Sequence, residues 1–206
     1  MKLYRPVGFK EMDLILNTGC RRYPPRLPTQ PIFYPVLNIH YAKEIAEKWN
    51  TKDEFSGYVG YVTEFEVDND YISDFEPHIV GSSMHQEFWV PAEALEDFNQ
   101  KIITNILILD AYFGSDYTGI SIVNTPLKDK NHIEQFVQLN KLIKSNTMDF
   151  ICEVLAQWKI ITQNYLLWEK FDFSSYGIMH VEKEKLLQAM KNSMIKNRKW
   201  FIKNSI

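Results

Sequence analysis

The spacing of apolar residues changes near Ser115, and this change constrains the fold more than any other feature of the chain. Before it, short runs of alternating or continuous apolar residues predict β-strands, including a long strand at residues 58–67. After it, apolar residues recur at helical spacing, with the helices predicted at 133–142, 148–168 and 182–201. We therefore predict an α+β core over residues 1–113, followed by an all-helical extension over residues 114–206.

Turn and capping residues divide the core further. Asn17, Thr18 and Gly19 are typical of a helix end, and Asn38 is a candidate N-cap. Four prolines in residues 22–31 predict an extended loop, because proline fixes φ and has no N–H to donate. The predicted elements of the core are a strand at 3–7, a helix at 9–16, a strand at 32–37, a helix at 41–49, strands at 58–67 and 88–90, a short helix or turn at 91–99, and a strand at 102–112.

Composition places the chain among ordinary globular proteins, since 45% of its 206 residues are hydrophobic and 24% are charged. No apolar run approaches the roughly 20 residues that cross a bilayer, and residues 1–15 lack the apolar region of a secretory signal. We therefore expect a cytoplasmic location and no membrane association. Cys20 and Cys152 lie far apart without a paired spacing, so neither a metal site nor a disulfide is indicated.

Charge is distributed unevenly along the chain. Residues 51–100 contain twelve Asp or Glu and one basic residue, Lys52, whereas residues 183–206 contain seven Lys or Arg and one acid, Glu184. Residues 1–30 contain six basic residues. The basic ends leave two interpretations open: they attract a polyanion such as RNA or DNA, or they are solvated surfaces that pack on the acidic middle or on an acidic partner.

Glu87 is the best candidate for a reaction centre. It follows a loop-like Gly81-Ser82-Ser83 and precedes the apolar run Phe88-Trp89-Val90, which has high β-propensity. A strand that begins at a loop displays its first side chain at a sheet edge or in a cleft, where a carboxylate can meet a ligand. The alternative is a solvated glutamate on the surface.

Three spaced segments of the core carry a family resemblance. The first segment is a hydrophobic strand with a basic residue near its end, Leu3-Tyr4-Arg5-Pro6-Val7-Gly8. The second places an aromatic residue at a strand end before a helix, in Ile32-Phe33-Tyr34-Pro35 with Tyr41-Ala42. The third places a glutamate before a hydrophobic strand, Gln86-Glu87-Phe88-Trp89-Val90. Together they resemble the ADP-ribosyltransferase superfamily, in the arrangement of diphtheria-toxin-like enzymes and poly(ADP-ribose) polymerases. The core also resembles small bacterial proteins labelled ADP-ribosylation or crystallin J1-like.

This resemblance covers residues 1–113 and implies a split β-sheet core that uses NAD as its substrate. It implies a mono-ADP-ribosyltransferase, a bacterial toxin or defence effector that modifies a macromolecule. The basic ends and the lack of a protein-modifying signature favour nucleic acid, RNA or DNA, over protein as the acceptor. Three roles stay open for the C-terminal helices: binding an antitoxin or other partner protein, covering the NAD cleft, or completing the core. The residue roles that the resemblance implies are catalytic for Glu87, Arg5 and Tyr34, NAD-binding for Arg5, Val7, Phe33, Tyr34 and Tyr41, and acceptor-orienting for His85 and Gln86.

Two departures from the family pattern keep other functions open. Pro6 follows Arg5 where the polymerase-like relatives have a glycine whose backbone binds nicotinamide, and His85 stands where enzymes that modify Arg or Asn carry Glu or Gln. One alternative is a binding module that has lost turnover and acts through a partner protein. Another is an NAD glycohydrolase. A third is an RNA 2′-phosphotransferase, for which Arg21, Arg22 and Arg26 would bind phosphate, although the chain has no matching motif.

Overall fold

The computed structural model describes residues 1–119 and 125–203. The chain divides into two compact units, the first comprising Met1–Tyr117 and Phe201–Ile206 and the second Thr118–Trp200. Strands and helices occur together in the first unit, and the described part of the second is helical. The prediction of a mixed chain of strands and helices with C-terminal helices is therefore confirmed. None of the helices in the described ranges combines the length and apolar character that crossing a bilayer requires.

The described part of the first unit contains seven strands and four α-helices. In chain order they are β1 (Lys2–Val7), α1 (Phe9–Asn17), β2 (Ile32–Phe33), α2 (Ile39–Lys48), β3 (Val59–Glu66), α3 (Asn69–Ile72), β4 (Pro77–Ile79), β5 (Gln86–Phe88), β6 (Val90–Pro91), α4 (Leu95–Gln100) and β7 (Leu107–Phe113). Short 3₁₀ turns at Asn50–Lys52 and Ala92–Ala94 lie between them.

The sheet of the first unit is antiparallel. Strand β3 lies between β1 and β7, and β4 pairs separately with β5. Val36 connects these two groups: it exchanges backbone hydrogen bonds of 2.9 and 2.8 Å with Tyr4 of β1, and it also bridges to Glu87 of β5. The three segments that carry the family resemblance therefore lie side by side in one sheet.

The predicted strand at 32–37 is interrupted. Ile32 and Phe33 pair with Pro91 and Val90 of β6, whereas Val36 pairs on both sides with other segments. Between them, Pro35 has no N–H and contributes only its carbonyl, which accepts from Phe88 N at 2.9 Å. The segment therefore changes partners at Pro35 instead of continuing as one ladder.

Helix α2 packs on one face of this sheet. Its N-terminus is capped by Asn38, whose side chain accepts from His40 N at 2.8 Å, as the sequence predicts. Its small residues Ala42 and Ala46 are fully buried in a cluster with Val36 and Val62. Gly60 permits this approach, because a Cβ there would lie 2.4 Å from the carbonyl oxygen of Ala46.

The opposite face of the sheet carries an aromatic core. The ring of Tyr23 lies 4.8 Å from that of Phe33 and 5.0 Å from that of Phe65, and Phe98 contacts both phenylalanines. The Tyr23 hydroxyl bonds to Thr63 Oγ1 at 2.8 Å, so its one polar atom is satisfied in the core. The proline-rich loop that begins after Tyr23 is thereby anchored at one end.

The second unit contains α5 (His132–Ser145), α6 (Thr147–Ala156), α7 (Trp158–Lys170) and α8 (His180–Lys196) among its described residues. Asn131 and Glu134 form a capping box at the start of α5, and Asn146 caps α6. The single helix predicted at 148–168 is divided at Gln157, and α8 ends five residues before the predicted Phe201. Phe201–Lys203 instead runs beside β7, where Ile202 forms a parallel bridge with Ile108.

Candidate functional site

Glu87 belongs to a row of four side chains on one face of the sheet. His78 is in register with Glu87, Glu87 with Val36, and Val36 with Tyr4. Residues directly opposite each other in paired strands project from the same face. Glu87 therefore faces α2, on the side where Tyr41 of that helix lies.

The Glu87 carboxylate is largely buried and is oriented by a hydrogen bond. The indole Nε1 of Trp89 donates to Glu87 Oε1 at 2.9 Å. Burial raises the pKa of Tyr41, and the nearby carboxylates of Glu87 and Glu44 raise it further. Tyr41 therefore stays a protonated, neutral hydroxyl beside this carboxylate.

Aromatic rings surround this carboxylate. His78 stacks on Trp89 with ring centroids 4.2 Å apart, and Tyr34 meets Trp89 edge to face at 6.2 Å. His85 stacks on Tyr41 at 4.2 Å. Trp89 and Tyr34 are 47% and 38% exposed, so a flat ligand can reach their rings while the carboxylate stays in a sheltered position.

His85 is also held by a carboxylate. Its Nε2 lies 3.2 Å from Glu44 Oε2, and the side chains of both residues are partly exposed. A histidine with a carboxylate partner is suited to accept a proton from a group that approaches it. Gln86, the other residue predicted to orient the acceptor, precedes Glu87 in β5 and so projects from the opposite face.

Sequence reasoning missed Trp89, His78 and Glu44 as parts of this cluster. Simple sequence periods could have identified two of the three, Trp89 and Glu44. His85, Glu87 and Trp89 are spaced by two, which places them on one face of a strand, and Glu44 lies three residues after Tyr41, which places both on one face of a helix. His78 had no such signal, because its position depends on the pairing of β4 with β5.

Arg5 lies on the other face of the sheet from Glu87. It follows Tyr4 in β1 and shares the buried side of that strand with Leu3 and Val7. Its Nε and Nη2 donate to the two carboxylate oxygens of Glu11 at 2.9 and 3.2 Å, and its Nη1 donates to the carbonyl oxygen of Tyr34 at 3.1 Å. The structure therefore connects Arg5 to Tyr34 through the backbone and does not bring its guanidinium to Glu87.

The remaining predicted NAD-binding residues differ in accessibility. Phe33 is fully buried, and the Arg5 guanidinium carbon lies 4.5 Å from the centre of its ring. Val7 is buried and in register with Tyr61 of β3. Of the three aromatics named from the sequence, Tyr34 and Tyr41 therefore reach the surface on the face of Glu87, and Phe33 is a core residue.

A cavity of about 200 Å³ lies beside Arg5. Arg5, Lys10, Glu11 and Asp53 line it together with Pro6, Gly8, Gln30, Asn50, Phe55 and Ser56, and Glu87 does not. Two cations and two carboxylates share this space, so its charges largely compensate one another. The oriented carboxylate of Glu87 lies on the opposite face of the sheet, with Tyr41 and His85 in the same cluster.

Comparison with known proteins gave no further assignment: no family model, no curated protein and no solved structure matched the chain.

Proposed function

We propose that this protein is an NAD-dependent mono-ADP-ribosyltransferase in which Glu87 is the catalytic carboxylate. The observation that supports this best is the continuous row Tyr4, Val36 and Glu87, which unites three segments from different parts of the chain. These are the segments whose residues resemble the three motifs of the transferase family. An ADP-ribosyltransferase-like split sheet is the fold that this proposal implies.

The proposed reaction breaks the bond between the nicotinamide nitrogen and C1′ of its ribose. Nicotinamide leaves with the bonding electron pair, so positive charge develops on C1′ and the ring oxygen of the ribose. A carboxylate fixed in place before the reaction stabilises that charge without reorganisation. Glu87 is held in place by the Trp89 indole, and it would supply this stabilisation.

The acceptor completes the reaction by attacking C1′ and losing a proton. His85 would receive that proton, because its ring stacks on Tyr41 and its Nε2 faces Glu44 at 3.2 Å. Tyr34 would offer its exposed ring to the nicotinamide, and Arg5 would act as a positioning residue through the carbonyl of Tyr34. With a macromolecular acceptor, nucleic acid before protein, the protein would act as a bacterial toxin or defence effector; with water as the acceptor it would be an NAD glycohydrolase.

The test is incubation with NAD labelled in its adenylate part, with RNA, DNA, cell protein or no acceptor. We expect nicotinamide release by the wild type and label on one acceptor class. Glu87→Gln should lower release about a hundredfold or more, the scale of losing one electrostatic stabiliser of a transition state. Glu93→Gln, which removes the same charge from an exposed position, is the matched control and should match the wild type.

Trp89→Phe separates the orientation of Glu87 from its charge. The substitution removes the indole N–H but keeps an aromatic ring at a half-exposed position, so we expect release to fall about tenfold with the melting temperature unchanged. Absence of nicotinamide release and label transfer by the wild type, with Glu87→Gln indistinguishable from it, would exclude the enzymatic function.

A second candidate is a binding module with a transferase-like core and no turnover. It is favoured by the engagement of Arg5 with Glu11 and by Pro6, which offers no N–H to nicotinamide. NAD would then fail to raise the melting temperature, whereas a co-purifying partner protein would raise it. Stabilisation by NAD without that partner would count against the module.

A further inference from the structure

We propose that a second cavity of the first unit binds the phosphate groups of a nucleotide ligand. The cavity has a volume of about 670 Å³ and lies between the segment after α1 and the segment after α4. Its lining residues are Thr18, Arg21, Arg22, Asn99, Ile102, Ile103, Thr104 and Asn105. Glu87, Tyr41 and His85 are not among them, so the inference does not rest on the proposed function.

The charge of this cavity is what distinguishes it. Arg21 and Arg22 line it, and none of its lining residues is acidic. The cavity beside Arg5 holds two carboxylates against two cations, so an anion entering there meets compensated charge. An anion entering the larger cavity meets two guanidinium groups with neutral hydroxyl and amide groups around them, which is the composition that phosphate recognition requires.

The backbone that carries the two arginines is fixed before any ligand arrives. Thr18 Oγ1 accepts from the backbone N–H groups of Arg21 and Arg22 at 3.3 and 3.4 Å. On the other side, the buried amide of Asn99 accepts from Tyr23 N at 2.8 Å and donates to Tyr23 O at 3.0 Å. Fixing the loop in advance reduces the entropy lost when a ligand is bound.

Both guanidinium groups are available to a ligand. Within residues 1–119 and 125–203, no ion pair involves the exposed Arg21 side chain. Arg22 Nη1 lies 3.3 Å from Glu96 Oε1, with the two side chains 52% and 64% exposed. An ion pair so open to water is worth about 0–1 kcal/mol, so a phosphate that receives two hydrogen bonds from the guanidinium replaces it.

The size and the rest of the lining indicate a nucleotide. Small-molecule sites have volumes of about 300–1,000 Å³, which includes this one. Thr104 and Asn105 offer polar groups to a sugar or base, and Ile102 and Ile103 offer apolar contact. Phosphates of this kind come from two sources: the pyrophosphate of a dinucleotide such as NAD, and the phosphodiester of a nucleic acid.

Titration calorimetry on the full chain at low salt tests the site, with inorganic pyrophosphate as the first probe. We expect the wild type to bind it and Arg21→Ala/Arg22→Ala to bind it about a hundredfold more weakly, since each charge-assisted contact is worth about tenfold. The matched control, Lys185→Ala/Lys196→Ala, removes the same charge from exposed positions of α8 and should stay within about twofold of the wild type. Unchanged melting curves establish that the variants are folded.

ADP-ribose and a short single-stranded oligonucleotide distinguish the sources. A loss of affinity in Arg21→Ala/Arg22→Ala for ADP-ribose alone assigns the site to a dinucleotide, and a loss for the oligonucleotide alone assigns it to nucleic acid. A loss for both assigns it to phosphate of either origin. Three results would overturn the inference: no binding of pyrophosphate by the wild type, equal binding by the arginine variant, or no binding of either larger ligand.

Discussion

Replacing Arg5 with methionine tests whether this arginine holds two segments of the sheet together. The substitution keeps an apolar stem over Phe33 but removes the donors to Glu11 and to the Tyr34 carbonyl. The Arg5 and Glu11 side chains are 8% and 20% exposed. Breaking a fully buried pair costs about 3–5 kcal/mol, and an exposed pair costs about 0–1 kcal/mol.

The Arg5 pair lies near the buried limit, but Arg26 Nη1 remains 3.6 Å from Glu11 Oε1 and compensates part of the loss. We therefore expect Arg5→Met to lower the free energy of opening of β1 and residues 32–36 by about 3 kcal/mol. Because every 1.4 kcal/mol is a factor of ten, amide hydrogen exchange in these segments should be about a hundredfold faster. Mass spectrometry of the corresponding peptides measures this rate.

Two further variants make the result specific. Adding Glu11→Leu to Arg5→Met removes the carboxylate left without its partner, so the double variant should lose less stability than the sum of the two single changes. Arg22→Met breaks the exposed pair with Glu96 and should change exchange by less than a factor of about five. If Arg5→Met exchanged no faster than Arg22→Met in these peptides, the structural role of Arg5 would be refuted.

Two other predictions concern packing and pH. Gly60→Ala places a Cβ 2.4 Å from the backbone oxygen of Ala46, which cannot rotate away. We therefore expect the protein to be destabilised by about 3 kcal/mol and its melting temperature to fall by at least about 5 °C. An unchanged melting curve would contradict the close packing of α2 on β3. Burial raises the pKa of Glu153 above its ordinary value of 4.5, although a hydrogen bond with Thr125 lowers it in part. The folded state therefore favours the neutral carboxyl group. The protein keeps the associated stability below pH 4.5 and loses it as the pH rises through the folded-state pKa of Glu153. Glu153→Gln should therefore gain stability relative to the wild type between pH 4 and pH 7 in thermal melts followed by circular dichroism, and an equal difference at both pH values would count against this.

The sequence predicted those strands, helices and caps that depend only on residues close together in the chain. The long alternation at 58–67 corresponds to β3, Val59–Glu66, and the helix predicted at 9–16 ends one residue later, at Asn17. The Asn38 cap was also readable, because a cap acts within two or three residues of itself. Strand β1 begins one residue earlier than predicted.

Elements that depend on distant partners were less predictable. β4 is three residues long and begins with Pro77, so nothing in its own sequence distinguishes it from a loop; its pairing with β5 makes it a strand. The stripe at 148–168 is continuous in sequence, yet the helix breaks at Gln157. The predicted strand at 102–112 starts only at Leu107, since Ile102 bridges to Val67 instead.

The candidate site shows the same division. Because successive side chains of a strand point to opposite faces, the sequence alone predicts that Glu87 and Trp89 share a face and that Tyr4 and Arg5 do not. Which residue of β1 shares the face of Glu87 depends on the register through Val36, which no short motif contains. The three segments on which the family resemblance rests are neighbours in the sheet, and the pairing places Tyr4 in the row and Arg5 outside it.

The return of the chain to β7 has a consequence for any attempt to shorten this protein. Ile108 N donates to Phe201 O and Lys203 N donates to Ile108 O, both at 2.8 Å, and Lys203 Nζ reaches Glu64 at 2.6 Å. These contacts close a loop on the order of 90 residues, for which the entropy cost depends only weakly on length. Cutting the chain anywhere in that loop turns an internal strand contact into an encounter between two molecules, which loses the advantage of effective concentration. A fragment that stops at Tyr117 thus has an unpaired β7 edge. A short linker that replaces the helices and joins Tyr117 to Phe201–Lys203 would restore the pairing at that edge.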